Sequence, residues 1–522
     1  MVVGLRSFRK VHQIGHGKPS INRFAKVVSL RGSDSCSVGV FGGAVSVTSG
    51  KESLQSAFRI LIFPLSTQNL TVRVMRFCHS AKAYGLFLCI WLVMPCFVVA
   101  ADAWPQFRGP NADGVVTDAN DLPTEWTASE NVAWKTDIPG RGWSSPIVWE
   151  NRVFLTTVIN HGDGEEPKKG LYFGGNRPEL PASEHEWVVI CLDLNSGDVL
   201  WKKQVRKASP KTSIHLKNSY ASETPVTDGE HVYAMFGGVG VYCFDMDGNE
   251  VWMHNLEPRK TRYGWGTAAS PVLFGDRLYV VNDNDEDSYL MALDKRTGEQ
   301  IWRTPREEKS NWSTPYIWEN ELRREIVTLG SGKVRSYDLD GNLLWSLTGM
   351  SSITIATPYQ HNGLLYISSG YVGDSDRPLY AIRPGAEGDI SLEGTETANE
   401  SIVWSQPTGA PYNPTTIAYE GVVYVLYDRG LFAAYDAADG SEIYSKVRIP
   451  NGGEFTSSPW AYGGKIFCIN EDGVTSVIKA GTEFELLGSN PLAEDDMAMA
   501  TPAIAGDRLL IRTATRIYCI QK

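Results

Sequence analysis

Aromatic and charged side chains recur a few residues before a repeated dipeptide in which a small residue precedes proline. Planar rings offer a large contact area at little entropic cost, and a nearby charge or amide can orient a bound group. Brought together, such side chains suit a small-molecule or peptide site; the alternative is that the tryptophans only fill the interior. The candidate ligand-binding residues are Arg141, Trp143, Tyr220, Glu223, Trp265, Trp312, Asn413 and Glu454.

Motifs that would indicate catalysis are incomplete or missing in this sequence. The GSGK segment at 330–333 is followed by Val334 and not by the Ser or Thr of a phosphate-binding loop. The HEWVV segment at 185–189 lacks the second histidine of a zinc-protease helix, and no G-x-S-x-G motif occurs. We therefore predict no catalytic residues.

An acidic segment, NDNDEDS at 282–288, could bind calcium, because Asp283, Asp285 and Asp287 alternate as in a calcium loop. However, Ser288 stands where such a loop needs glycine. We favour the alternative of a solvated turn between two strands, and predict no metal site.

The small residue–proline dipeptide marks a repeat. Its proline slots are Pro146, Pro225, Pro271, Pro315, Pro358, Thr416, Pro459 and Pro502. Most steps are in the low forties, which is typical of a four-stranded propeller blade. Two longer steps contain insertions, near 160–187 and 384–400, which border a binding face or are surface decoration. We predict an all-β fold: an eight-bladed β-propeller of four-stranded antiparallel blades over residues 131–522.

A second pattern closes most repeats: an apolar strand, Asp, a Gly turn, and a strand carrying an aromatic residue, as in MALDKRTGEQIW at 291–302. Asp and Gly satisfy tight turns, and a large ring can pack between neighbouring blades. The predicted packing residues are Trp134, Trp201, Trp252, Trp302, Trp345, Trp404 and Tyr444.

The last repeat stops at RIYCIQK (516–522), before its outer strand. The segment NVAWK (131–135) resembles that missing strand, so we expect it to close the ring and leave no open sheet edge. The alternative is an incomplete final blade.

Four cysteines lie in or near the repeats: Cys191, Cys243, Cys468 and Cys519. Three of them occupy a slot that elsewhere holds Ala or Ser, which indicates a small buried side chain. Equivalent slots on neighbouring blades are too far apart for a disulfide, so we predict free, buried thiols.

Residues 75–101 have the pattern of a signal peptide: Met75 and Arg76, an apolar run, then small residues. A retained membrane anchor is the alternative. We interpret residues 1–74 as an upstream extension outside the true start, or as a disordered segment, and 102–130 as a leader. The net charge is −11 and the first 101 residues are basic, so the acidic remainder argues against nucleic-acid binding.

The phrase A-x-D-x-x-T-G-x-x-x-W at Ala292–Trp302 resembles the tryptophan-docking motif of pyrroloquinoline quinone (PQQ)-type propellers. WPQFRGPNADG at 104–114 and RPGAEGDISL at 383–392 also look like exported members of this group, and the resemblance covers roughly residues 104–522. The group includes quinoprotein dehydrogenases, which use PQQ and calcium, and the noncatalytic factor BamB. This sequence lacks the vicinal Cys pair of the dehydrogenases and the C-x-x-C-H haem motif.

We expect an exported, noncatalytic binding or scaffolding module, periplasmic, secreted or envelope-associated, monomeric, with no membrane span in the mature chain and no cofactor. Its partner would be an envelope protein or a small-molecule or saccharide ligand. The alternatives are a PQQ- and calcium-dependent dehydrogenase and a polysaccharide-binding propeller, since the fold alone does not select a function.

The signal-peptide interpretation predicts a mature protein that begins near Asp102 or Trp104, because small residues end the apolar run there. Edman sequencing of the exported protein checks this, and recovery of residues 1–74 on it would contradict the interpretation.

Overall fold

Tight turns and short strands dominate the part of the chain that the computed structural model describes. That part is residues 103–117, 121–164, 166–173, 180–492 and 496–522, with the backbones of five short strands nearer the N-terminus. The chain divides into two units, Met1–Cys96 and Phe97–Lys522. In the first, an antiparallel sheet is formed in chain order by Gly4–Leu5, Val27–Leu30, Cys36–Phe41, Ala44–Ser49 and Ile60–Leu61. The signal peptide predicted at 75–101 lies outside the described residues.

The described residues of the second unit form eight four-stranded blades, which confirms the predicted propeller. Blade 1 comprises Ile147–Trp149, Arg152–Asn160, His185–Asp193 and Val199–Ala208. Blade 2 comprises Val226–Thr227, His231–Phe236, Gly240–Asp245 and Glu250–Asn255. Blade 3 comprises Val272–Phe274, Arg277–Asn282, Tyr289–Asp294 and Gln300–Pro305. Blade 4 comprises Tyr316–Glu319, Arg324–Leu329, Lys333–Tyr337 and Leu343–Thr348.

Blade 5 comprises Tyr359–His361, Leu364–Ser368, Leu379–Ile382 and Ile402–Gln406. Blade 6 comprises Ile417–Tyr419, Val422–Leu426, Leu431–Asp436 and Glu442–Arg448. Blade 7 comprises Trp460–Tyr462, Lys465–Ile469, Val474–Lys479 and Leu486–Pro491. Blade 8 comprises Ala503–Ala505, Arg508–Arg512, Arg516–Ile520 and, from the other end of the unit, Val132–Asp137.

The closing strand Val132–Asp137 pairs antiparallel with Arg516–Ile520, and Trp134 lies opposite Cys519. The Arg516 Nε donates to Asp137 Oδ1 at 2.9 Å across the same pair. Blade 8 therefore takes its outer strand from the N-terminal side of the propeller, and the edge of its third strand is covered.

Five of the predicted packing tryptophans each dock one blade on the next. The indole Nε1 donates to a backbone carbonyl of the following blade at 2.9–3.1 Å in the pairs Trp134–Leu194, Trp201–Met246, Trp252–Lys295, Trp302–Leu339 and Trp404–Ala437. Each ring lies on a turn glycine with positive φ: Gly197, Gly248, Gly298, Gly341 and Gly440. A Cβ there would approach the ring to less than 3 Å, so each turn needs glycine on steric grounds as well.

Trp345 departs from this pattern because the insertion at 384–400 replaces the glycine turn of blade 5. Its Nε1 donates instead to the buried Glu325 Oε2 at 2.6 Å, within blade 4. The insertion adds a short strand, Gly388–Asp389, parallel to the outer strand of blade 4. Tyr444, in the slot of blade 6, packs on Phe432 and Phe484.

The small residue before each proline slot is Ser or Thr in all eight repeats, and these hydroxyls form what we call the hydroxyl ring: Ser145, Thr224, Ser270, Thr314, Thr357, Thr415, Ser458 and Thr501. At six of the blade junctions described, the backbone N–H of one member donates to the hydroxyl oxygen of the next at 2.9–3.1 Å. The inner strands are thus joined around the axis by side chains.

The leader crosses the propeller on one side of the hydroxyl ring. This is the side toward which the inner strands continue after the small residue–proline dipeptide. Trp104 exchanges two backbone hydrogen bonds with Val148 of blade 1, at 2.8 and 2.9 Å. The buried Arg108 donates to the Thr416 carbonyl of blade 6 at 3.2 Å, and its guanidinium lies 5.7 Å from the Tyr359 ring centre of blade 5. Gly114 and Val116 bond to Ala461 of blade 7. The leader, which the sequence left without a role, therefore spans the channel.

The four cysteines of the described region are free and buried, as predicted. Burial raises the pKa of the Cys191 thiol to about 12. A single 3₁₀ turn, Arg262–Gly264, was found among the described residues, and none of their helices is long and apolar enough to cross a membrane.

Deleting residues 104–135 should lower the melting temperature of the propeller, because blade 8 loses its outer strand and the channel loses the crossing leader. Calorimetry of the truncated chain measures this. Lys135→Ala, an exposed change in the closing strand, is the control and should melt like the parent. A truncated chain with an unchanged melting temperature would contradict the closure model.

Candidate functional site

On the opposite side of the hydroxyl ring from the leader lies a cavity of about 240 Å³, which all eight residues of the ring line. The residue three positions before each proline slot lines it as well, and these residues form what we call the second ring: Trp143, Ser222, Ala268, Trp312, Ile355, Asn413, Thr456 and Met499. Both rings follow from strand geometry, since side chains two positions apart face the same side of extended chain. Phe107 of the leader also lines the cavity, so the leader forms its floor.

Aromatic rings of the cavity wall are fixed by backbone hydrogen bonds. Trp143 Nε1 donates to the Lys217 carbonyl at 2.9 Å, and Trp312 Nε1 donates to the Gly266 carbonyl at 2.8 Å. Trp265 packs on Trp312 with ring centres 5.9 Å apart. With their indole N–H groups bound on the protein side, Trp143 and Trp312 contribute mainly apolar ring surface to the cavity.

Four candidate residues line the cavity, namely Trp143, Trp265, Trp312 and Asn413. The Asn413 amide is held by the buried Asp428, whose Oδ1 accepts from both its backbone N and its Nδ2. Burial raises the pKa of the Asp428 carboxyl above its usual value.

The other four candidates, Arg141, Tyr220, Glu223 and Glu454, lie outside the cavity lining. Arg141 pairs through its backbone with Val158, and its guanidinium contacts Glu166 at 2.6 Å. The Tyr220 hydroxyl donates to the Thr212 carbonyl at 2.7 Å. Glu454 lies beside Glu471. The pKa of the Glu454 carboxyl is raised above its usual value, mainly by burial and to a smaller extent by the neighbouring Glu471.

Glu223 is one residue out of phase with both rings, so its side chain turns into the protein and is 1% exposed. Its Oε1 accepts from Thr267 Oγ1 at 2.6 Å and from Gly237 N at 3.2 Å. Burial raises the pKa of this carboxyl to about 7 in spite of those hydrogen bonds.

A buried ion pair that the sequence did not reveal joins two sides of the mouth. Lys217 precedes blade 2 and Glu471 belongs to a turn of blade 7, yet Lys217 Nζ contacts Glu471 Oε1. Thr456 Oγ1 donates to the same carboxylate oxygen at 2.6 Å. The two residues are 254 positions apart and out of register in the repeat, so no spacing rule connects them. Lys217 is the one Lys or Arg among the described residues that line the cavity.

The acidic segment at 282–288 forms a turn between two strands of blade 3. The Asp283 carboxylate accepts from Arg306 Nε and Nη2 at 2.8 and 2.9 Å, and Asp287 Oδ2 accepts from Arg303 at 2.6 Å. Asp285 Oδ1 accepts from Ser310 N and Oγ. These carboxylates are committed to ion pairs and hydrogen bonds within the protein.

Replacing Glu223 by Gln should make stability less dependent on pH. The folded state raises this pKa from 4.5 to about 7, so it holds a proton that the unfolded chain releases between those values. The contribution of this group to stability is therefore most favourable below pH 4.5 and is lost as the pH rises through 7, by up to about 3 kcal/mol. Thermal melts of both proteins from pH 4.5 to 8 should show a growing advantage for Glu223→Gln; the exposed Glu299→Gln serves as control. A constant difference would refute the buried titration.

The family model described as outer membrane protein assembly factor BamB matches residues 111–262 and 237–384, which is more than half of the chain. The BamB of Burkholderia pseudomallei (strain K96243) is 23% identical over 275 residues, covering 48% of this chain and 66% of that protein. A polyvinylalcohol dehydrogenase of a Pseudomonas species is 23% identical over 283 residues, covering 44% of this chain and 42% of that protein. The chain thus spans less than two thirds of the length of these relatives.

Solved structures share the fold. A europium-containing methanol dehydrogenase superposes with a TM-score of 0.51 at 10% identity, covering 81% of this chain and 98% of that one. The quinohemoprotein alcohol dehydrogenase of Comamonas testosteroni gives 0.50 at 12% identity, covering 80% of each chain. Together with the interblade tryptophans, the family match establishes that this chain belongs to the PQQ-type, BamB-like β-propeller family.

Proposed function

We propose that this protein is an exported, noncatalytic binding module of the cell envelope, and that its ligand enters the mouth of the propeller channel. The observation that carries the proposal is the cavity itself, which has a leader floor, an inner ring of hydroxyls and an asymmetric second ring. A protein segment or a small ligand is the class of occupant that such a recess suits. Export is supported by the signal-peptide pattern at 75–101, and an envelope location by the family's description.

The second ring varies from blade to blade whereas the hydroxyl ring does not. Trp143 and Trp312 stand in blades 1 and 4, while Asn413 and Thr456 stand in blades 6 and 7. The tryptophans of the second ring thus lie in the half formed by blades 1–4, whereas the half formed by blades 5–8 presents the Asn413 amide and the Thr456 hydroxyl. An asymmetric wall on a stiff scaffold favours a ligand with one flat apolar face and one hydrogen-bonding face.

The cavity residues fit PQQ and calcium poorly. PQQ is a planar quinone that carries several carboxylates, and the one Lys or Arg among the described lining residues, Lys217, is neutralised by Glu471. In the described part of the chain, no three His, Cys, Asp or Glu side chains come together as metal ligands. We therefore propose that the module acts without this cofactor. Incubation with PQQ and Ca²⁺ tests this proposal. The appearance of a quinone absorbance or of dye-linked activity would favour the dehydrogenase alternative.

A photo-crosslinking amino acid at Met499, in the second ring, should capture the ligand in envelope extract. For the ligand identified in this way, Trp265→Ala and Trp312→Ala should each weaken binding by about 1–3 kcal/mol, because a stacked aromatic contact is lost. Titration calorimetry with the purified ligand measures the change.

Trp302→Ala is the matched control, since this tryptophan docks blade 3 on blade 4 outside the cavity lining. It should lower the melting temperature and leave affinity unchanged. The reverse pattern, with normal affinity in Trp265→Ala and Trp312→Ala, would move the ligand site away from the channel mouth.

A further inference from the structure

One side of the mouth is occupied by a segment of the chain itself, Lys169–Phe173, which belongs to the insertion between the second and third strands of blade 1. Gly170, Leu171 and Tyr172 of this segment line the cavity. The insertion lies outside the repeat, so the blades do not require it for their strands or for their tryptophan contacts. The residues that receive the segment therefore belong to the mouth of the propeller and not to the insertion.

The buried Lys217–Glu471 pair holds both polar groups of Gly170. The Gly170 N–H donates to Glu471 Oε2 at 2.8 Å, and the Gly170 carbonyl accepts from Lys217 Nζ at 2.9 Å. Hydrogen bonds to charged groups are stronger than those between neutral groups. Because this clamp contacts main-chain atoms, any segment with the same backbone geometry could make the same bonds.

Side chains on either side of Gly170 add selectivity. Lys169 Nζ contacts the Asp472 carboxylate, and the Tyr172 ring lies 5.1 Å from His215, centre to centre. Phe173 packs on Tyr263 and Trp265 at 4.9 and 5.4 Å, yet it remains 57% exposed. Gly170 has φ of +89°, a conformation that other residues adopt only at a cost.

The receiving surface is organised by contacts that do not involve the segment. Thr456 Oγ1 donates to Glu471, and the Lys217 backbone N–H donates to His215 Nδ1 at 3.0 Å. The Lys217 carbonyl accepts from Trp143 Nε1. Because His215 Nδ1 accepts within the receiving surface, its Nε2 is directed to the segment, where it donates to the Tyr172 carbonyl at 3.2 Å. A preformed surface loses little entropy when a segment binds.

We propose that this surface is a peptide-binding site and that Lys169–Phe173 occupies it in place of a partner segment of like chemistry. The partner segment has a basic residue, then glycine, then an apolar residue and two aromatic residues. This rests on the proposed function and names its ligand class. A tethered segment competes at millimolar effective concentration, so self-occupancy weakens the apparent affinity for an external peptide.

The test uses a fluorescent peptide of sequence PKKGLYF, identical to residues 167–173, and the full exported chain. Lys169→Glu combined with Phe173→Ala loosens the internal segment and leaves the receiving residues intact. Fluorescence anisotropy should show binding at least about tenfold tighter than to the parent protein. Adding Trp265→Ala or Glu471→Gln to that variant should remove the gain, and PKKALYF should bind more weakly than PKKGLYF because of the glycine conformation.

Lys479→Glu, which makes the same charge change at an ion pair on blade 7, is the matched control and should bind the peptide like the parent. Phe173→Ala alone keeps the test valid if the double variant melts early, because this ring is largely exposed. Equal affinity for the parent and the loosened protein, or a gain that survives Trp265→Ala, would overturn the inference. If the ligand captured at Met499 still depends on Trp312 in that case, the proposed function stands and only its ligand class is wrong.

Discussion

The contact between a tryptophan and the turn glycine of the next blade is the interaction on which the rest of the structure depends. Each such contact combines an indole–carbonyl hydrogen bond with packing of the ring face against a glycine, which has no side chain. Trp252, for example, bonds to the Lys295 carbonyl and packs on Gly298. It fixes the angle between two neighbouring blades at the outer edge, and at four junctions, between blades 1 and 2, 2 and 3, 3 and 4, and 5 and 6, the hydroxyl ring also joins the same two blades near the axis. Two attachments at different radii make these junctions stiff, and a stiff ring can hold cavity side chains in fixed positions.

That dependence also explains the exception at blades 4 and 5. Where the insertion at 384–400 removes the glycine turn, Trp345 finds a buried carboxylate, Glu325, which also accepts from Ser336 Oγ at 2.6 Å and from Arg323 Nε at 3.0 Å. A buried charge is costly unless several donors satisfy it, and here they do. The blade thus keeps a partner for its indole N–H although the usual acceptor is gone.

The repeat made the fold predictable from sequence, because strand period, turn glycines and tryptophan slots recur in register and each copy supports the others. The site was only partly predictable. Trp143, Trp312 and Asn413 are in phase with the hydroxyl ring and line the cavity. Glu223 is one position out of phase, and treating all residues before the dipeptide alike overlooked the two-residue alternation of extended chain. The Lys217–Glu471 pair and the path of the leader join parts of the chain that meet only once the ring is closed. No local sequence pattern reveals such contacts.

Closure of blade 8 by Val132–Asp137 sets an order on biosynthesis. The chain emerges from its N-terminus, so this strand leaves the ribosome, and any export channel, long before Arg516–Ile520, the strand with which it pairs. Until then it is an unpaired strand, and joining it to a partner nearly four hundred residues away carries a large loop-closure entropy. The ring can close only after the last strand has been made, so the closing strand waits without this partner through most of synthesis, with a strand edge exposed to unwanted pairing.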